Sequence, residues 1–160
     1  MNRSMQLLHE TMSATNSQQW DCVCYGIGPI HSSQISQLQL SFLIQMLRRT
    51  DFATVALFDP LLDDSELQVI QSYGIDIIGH NEEAKRCIQR NTVFYMPHCE
   101  FNLYNNVVDA NKDVLQDMIV IGNSFGMYGS IEMHRVREVA MPQLEGWMEV
   151  FNNTSIHSFI

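Results

Sequence analysis

A chain of 160 residues with 46% hydrophobic content is long enough and apolar enough to bury the core of one domain. Nine basic against eighteen acidic residues leave a formal charge of −9, which opposes phosphate backbones and argues against nucleic acid as a partner. No stretch of about 18 apolar residues occurs, so no membrane span is expected.

Residues 1–19 carry Arg3, His9 and Glu10 and lack the apolar stretch of a signal peptide, so they read as a tail or short helix ahead of one domain at 20–160. Residues 21–27 are strand-like and close on Gly26-Ile27-Gly28-Pro29. Ser32 or Ser33 caps the helix that follows, which runs to about Arg49 and is apolar around most of its circumference. Residues 54–58 form a second strand, ending at Asp59-Pro60. Asp63 with Glu66 makes a capping box, and Gly74 stops that helix. Residues 75–78 are read as a third strand, with Asn81 capping a helix that has Glu82 and Glu83 in its first turn. Residues 92–96 are a fourth strand, Leu103, Val107 and Val108 mark the helix behind it, and residues 118–121 are a fifth strand. A last helix is expected at residues 142–151.

Strands alternating with helices predict a mostly parallel sheet covered on both faces. The expected fold is α/β, a Rossmann-like three-layer sandwich of five strands or slightly more, in the order 3-2-1-4-5. The four cysteines, Cys22, Cys24, Cys87 and Cys99, show no C-x-x-C or metal-finger spacing. Cys22 and Cys24 are assigned to opposite faces of one strand, which disfavours a disulfide, and the set reads as reduced thiols in an intracellular compartment. The ten methionines, Trp20 and Trp147 read as core, and His9 and His31 as solvated.

Ligands of such sheets sit outside the carboxyl ends of the strands. Those ends carry Gly26 and Gly28, Asp59, His80-Asn81, His98-Cys99 and Asn123-Ser124, a convergence of small and polar residues that marks the candidate pocket. Gly26 and Gly28 let a backbone approach a phosphate, and Asp59 suits a ribose. The dinucleotide fingerprint is nevertheless incomplete. His31 stands where its third glycine belongs, Pro29 removes an amide, and Asp59 lies 31 residues after Gly28 rather than about 20. The alternative is a tight turn with an acidic loop residue. His98 and Cys99 offer an imidazole and a thiol for iron or another metal, with His80 or Asp59 needed as a further partner. Their other reading is capping and packing at the strand end. No three-ligand zinc set is evident.

Gly122-Asn123-Ser124-Phe125-Gly126 satisfies G-x-S-x-G, the nucleophile-elbow pattern, although the residues behind it read as loop. Glu132 with His134 or His157 would have to complete a triad, and the alternative is a polar turn in which Asn123 and Ser124 bond the backbone.

Several segments in order carry a family resemblance. They are Cys24-Tyr25-Gly26-Ile27-Gly28-Pro29-Ile30, Ser36-Gln37-Leu38-Gln39-Leu40, Phe58-Asp59-Pro60, Asn81-Glu82 and Phe94-Tyr95-Met96-Pro97-His98-Cys99. Leu103-Tyr104-Asn105-Asn106, Ile121-Gly122-Asn123-Ser124-Phe125 and Phe151-Asn152-Asn153-Thr154-Ser155-Ile156-His157 continue the series. Over roughly residues 20–159 the chain resembles the SRR-type family, named for "sensitivity to red light reduced". The resemblance implies a regulator rather than a known enzyme, linked to circadian-clock input and light signalling in plants and to haem biosynthesis in animals. It also implies haem as a candidate ligand, with His98 and Cys99 as the iron-binding candidates. The expected function is therefore regulatory, cytoplasmic and nuclear, through a small-molecule ligand or a regulatory protein partner. The alternative is a transferase using a nucleotide-like or S-adenosylmethionine-like cofactor in the same pocket, and a third reading is an interaction scaffold.

Overall fold

The computed structural model describes residues 2–14, 19–127, 136–142 and 150–160. The helix expected at residues 142–151 lies largely outside them, as do Glu132, His134 and Trp147.

Helix α1 (Asn2–Ser13) precedes strand β1 (Trp20–Tyr25). Then come α2 (Gln34–Arg49), β2 (Phe52–Phe58), α3 (Asp64–Ser72) and the two-residue β3 (Asp76–Ile77). They are followed by β4 (Thr92–Met96), α4 (Phe101–Ala110), β5 (Met118–Asn123), β6 (Val136–Ala140) and β7 (Thr154–Phe159). Ser33 caps α2, its side chain accepting from Ser36 N at 3.1 Å. Asp63 and Glu66 form the full capping box on α3, and Gly74, at φ +77°, follows its end.

The sheet has seven strands in the order β3-β2-β1-β4-β5-β7-β6. The first five are parallel and keep the expected order. Beyond β5 the sheet turns antiparallel, with β7 against β5 and β6 against β7 at the edge. One face of the sheet packs with Met5, Leu8 and Met12 of α1 and Phe42, Leu43 and Met46 of α2, the other with Tyr104 and Val107 of α4. β4 shows why its run is continuously apolar: Val93 and Tyr95 enter the first core, Phe94 and Met96 the second.

Two expectations are corrected. Cys22 and Cys24 share one face and one core, as the two-residue period of a strand requires. They are free thiols, and burial foremost raises both well above the ordinary range. No helix follows Asn81. Its Oδ1 instead accepts from Glu83 N at 2.8 Å, and Glu83 and Ala84 both have positive φ, which ends helical propagation. The capping signature is present, but among residues 82–91 only Ala84 is buried, so no apolar stripe rewards a helix.

Tyr104 ties β4 to β5. Its phenol donates to Met96 O at 2.6 Å and accepts from Asn123 N at 3.0 Å. The ring lies where Gly122 has no side chain: a Cβ there would stand 2.5 Å from Tyr104 Cε1 and 3.0 Å from Met96 O. Gly122→Ala is therefore expected to cost about 1–3 kcal/mol by overpacking, and Tyr104→Phe a similar amount by leaving Met96 O and Asn123 N without that partner. Urea unfolding midpoints of the two variants check both.

Candidate functional site

At the carboxyl edge of the parallel strands, Gly26 and Gly28 both adopt φ +76°, the left-handed region that glycine enters without steric cost. This turns the Gly28 amide toward Asp59, whose Oδ2 accepts from it at 2.6 Å while Oδ1 accepts from Leu61 N at 2.8 Å. Glu66, buried in the first turn of α3, takes the His31 amide on Oε1 at 2.7 Å and the Asp63 amide on Oε2 at 2.9 Å. The Asp63 and His31 amides, in that order of weight, hold the Glu66 carboxyl below its usual range. Two loop amides at the position of a phosphate cradle thus carry the chain's own carboxylates.

Cys99 is 7% exposed, and its thiol donates to Tyr25 O at 3.3 Å. Burial, with Asp59 and Glu100 adding to it, pushes the thiol up to about 12. A Cβ on Gly26 would come within 2.7 Å of this sulfur, so the turn and the cysteine are packed together. Asn123 Nδ2 donates to Cys99 O at 3.4 Å. His98, exposed and at φ +55°, donates from Nε2 to Val150 O at 2.7 Å. His80 and Asn81 are exposed on the irregular segment after β3.

The structure therefore joins Gly28 to Asp59, and Gly26 to Cys99 and Asn123, in a closed, self-bonded corner, while His98 and Asn81 bond elsewhere. Haem does not fit His98 and Cys99 as placed here. Cys99 is a buried protonated thiol bonded to Tyr25 O, while His98 lies exposed and turned to Val150 O through Nε2. Among the described residues, no group of three or more His, Cys, Asp or Glu is placed to hold a metal ion.

An open cavity of about 260 Å³ lies beside this corner, where β5, β7 and β6 end together. Ser124, Glu138, Thr154 and Ser155 give it polar walls, and Ala140, Met141 and Phe151 apolar ones. The antiparallel return of β7 creates it, by setting Thr154 opposite Asn123, and Ser155 opposite both Gly122 and Ala140. Of the residues expected at the site, Ser124 alone lines this cavity. Glu138, Thr154 and Ser155 escaped sequence reading because β6 and β7 were not recognised as strands. The alternation in Val136-Arg137-Glu138-Val139-Ala140 was the available signal.

Burial raises the Glu138 carboxyl, but hydrogen bonds from Ser124, Ser155 and the Gly126 amide, with His157 nearby, outweigh it and hold the group below its usual range. His157 Nε2 stands 3.6 Å from Glu138 Oε2. The imidazole is fully buried, stacked on Phe125 at 3.8 Å, and donates from Nδ1 to Val120 O at 3.1 Å. Its Nε2 accepts from Phe125 N at 3.4 Å, which fixes the neutral tautomer, and burial foremost lowers its pKa. The carboxylate thus sits between serine and histidine. A triad needs the imidazole in that middle place, so among the described residues Ser124 meets a carboxylate and not an imidazole. A 3-10 turn, Phe125–Met127, follows Ser124.

Alkylation of the native chain is expected to modify the exposed Cys87 and to spare Cys22, Cys24 and Cys99 until the chain is unfolded, as read by mass spectrometry of the labelled peptides. A pH dependence follows from His157. Because its folded pKa lies below the unfolded value of 6.5, the unfolded chain binds the proton first as pH falls. The stability tied to neutral His157 is complete above that value and is lost below it. Glu138, also lowered, adds a loss nearer its ordinary 4.5. The melting temperature should therefore fall as pH drops below about 6.5 and continue to fall toward the lowered folded pKa, and His157→Gln should flatten that fall.

Known proteins are similar to this chain along most of its length. The family model of the SRR1 domain matches residues 5–158. An SRR1-like protein of Mus musculus is 38% identical over 117 residues, covering 70% of this chain and 47% of that protein. Protein SENSITIVITY TO RED LIGHT REDUCED 1 of Arabidopsis thaliana is 41% identical over 114 residues, covering 69% of this chain and 42% of its own length. An SRR1-like protein of Drosophila melanogaster is 26% identical over 168 residues, covering 98% and 61%. The chain spans about half the length of the curated relatives it matches. No solved structure matches it. Among the described residues, no helix is long and apolar enough to cross a membrane. The chain belongs to the SRR1 family.

Proposed function

We propose that this chain is an intracellular regulatory domain rather than an enzyme, a Rossmann-like three-layer sandwich that answers to a ligand or partner at the carboxyl edge of its sheet. The observation that carries this reading is the bonding of the Gly28 and His31 amides to Asp59 and Glu66. The corner that would hold a nucleotide's phosphates is occupied by carboxylates of the chain itself, which repel an anion. The nucleophile candidates point the same way: Cys99 is a buried thiol, and among the described residues Ser124 has no imidazole partner. No observation favours the transferase alternative. Asp59, the residue meant for a ribose, is buried and already bonded through both oxygens.

The name of the Arabidopsis relative supports a place in the response to red light, and the family resemblance extends it to clock input. The resemblance extends the reading to haem biosynthesis, in which haem production is what the protein regulates rather than haem the ligand of His98 and Cys99. Cytoplasm and nucleus are the compartments this role requires.

Putting this chain in place of the matched segment of the Arabidopsis relative is expected to restore red-light sensitivity to plants lacking that protein. A Cys99→Ser chimera should do so equally, and a fluorophosphonate probe should leave Ser124 of the purified chain unlabelled. A chimera that accumulates normally without restoring the response would sink the regulatory reading. So would covalent capture of Ser124, which would return the chain to the enzymes.

A further inference from the structure

We propose that His157 works as a proton-operated latch on the turn after β5: a proton taken up at its Nε2 exchanges the Phe125 amide for the Glu138 carboxylate and frees the turn. This goes beyond the regulatory reading and does not depend on it.

The turn is held from two strands. His157 of β7 accepts from Phe125 N through Nε2 at 3.4 Å. Glu138 of β6 takes the Gly126 amide and the Ser124 hydroxyl. Within the sheet His157 lies between Val120 of β5 and Glu138, directly opposite each in its ladder. Its Nδ1 donates to Val120 O at 3.1 Å, which leaves Nε2 as the ring position where a further proton is gained.

Two neighbours make opposite demands on that nitrogen. The Phe125 amide needs a lone pair there, and the Glu138 carboxylate, 3.6 Å away, needs a hydrogen. Neutral imidazole satisfies the amide, and imidazolium satisfies only the carboxylate. A protonated Nε2 therefore sets donor against donor at Phe125 N and forms a charge-assisted bond to Glu138. Drawing Glu138 to the ring competes with its bonds to Gly126 N and Ser124 Oγ, so one proton weakens both anchors of the turn. The ring itself stays in place: Nδ1 keeps Val120 O, and the face of Phe125, stacked at 3.8 Å, suits a cation. Glu138 also lines the open cavity, which gives protons a path to the buried ring.

Among the described residues, the other ionisable groups on elements packed against the ring do not compete. Arg137 stands opposite Ser158, on the other face of β6. Tyr104 of α4 bonds Met96 O and Asn123 N, and Asp109 of that helix is exposed. Asp117 precedes β5 at its amino end. Burial foremost lowers the pKa of His157, with Glu138 opposing it, so the latch opens on the acid side of 6.5.

The test follows the full chain, labelled with nitrogen-15, by NMR from about pH 8 to about pH 5, with backbone amide exchange measured alongside. The imidazole nitrogens should report a proton on Nδ1 alone at the upper end and on both at the lower. With the same midpoint, protection of the Phe125 and Gly126 amides, corrected for the intrinsic pH dependence of exchange, should fall roughly tenfold, the worth of one hydrogen bond. The amides of β4 should keep theirs. Glu138→Gln removes the charge that favours the imidazolium and should move the midpoint to lower pH. His157→Gln should make the protection of both turn amides independent of pH. A ring that titrates while Phe125 and Gly126 stay protected overturns the proposal, and so does a ring that stays neutral until β4 also loses protection. Titration of the unaltered chain is decisive by itself if either variant fails to fold.

Discussion

The carboxylate of Asp59 bonds two amides from different loops, Gly28 after β1 and Leu61 after β2, and the arrangement of the sheet's carboxyl edge depends on it. A carboxylate this buried persists only if it is bonded, and here the bonds come from backbone that only a particular chain path can supply. Gly28 reaches it by taking the left-handed conformation, and the next residue, Pro29, has no amide to compete. Glu66 repeats the arrangement one turn into α3, joining the His31 amide to the cap of its own helix. The starts of α2 and α3 are thereby fastened to one another. A Cβ on Gly28 would fall 2.7 Å from Ser36 Oγ, which shows how closely the first turn of α2 is drawn onto the loop.

This fastening determines what the parallel half of the molecule can do. In an open α/β sheet the loop after the first strand is the natural anion site, because its amides and the following helix both present positive potential. Here that potential is spent within the chain. Cys99 closes the remaining space against Gly26 and bonds Tyr25 O, and the Tyr104 phenol fills the gap above Gly122. Among the described residues of this edge, a recess lies where the sheet changes direction. There the antiparallel β7 brings hydroxyls, rather than another glycine loop, to the end of β5.

The parallel half was legible because its signals are local. Alternating strand and helix patterns produced the order 3-2-1-4-5, and the Asp63–Glu66 spacing announced its capping box outright. Gly26, Gly28 and Asp59 were correctly placed at strand ends, but sequence alone could not show that they bond to each other rather than to a ligand. Asn81 misled because its capping pattern is followed by no buried face, and packing rather than propensity decides whether a short helix forms. β6 and β7 were missed for the opposite reason. β6 is a half-exposed edge strand, and β7 mixes Thr154, Ser155 and His157 with apolar residues, so neither carries the continuous apolar run of a central parallel strand. With them went Glu138, which meets His157 across the β6–β7 ladder, and Thr154, which meets Asn123 across the β5–β7 ladder.

Satisfaction of buried polar groups separates the two halves of the carboxyl edge. On the parallel side Asp59, Glu66 and Tyr104 each meet their partners at 2.6–3.0 Å. On the antiparallel side the Thr154 hydroxyl is buried without a partner, and among the described residues Glu138 is met by neutral donors and a neutral imidazole. Stability alone would favour valine at position 154, whereas the ionised Glu138 is favoured by the donors around it. The Ser4 hydroxyl of α1 is buried without a partner as well, so an unpartnered hydroxyl in this fold marks a local cost to stability and not by itself a site.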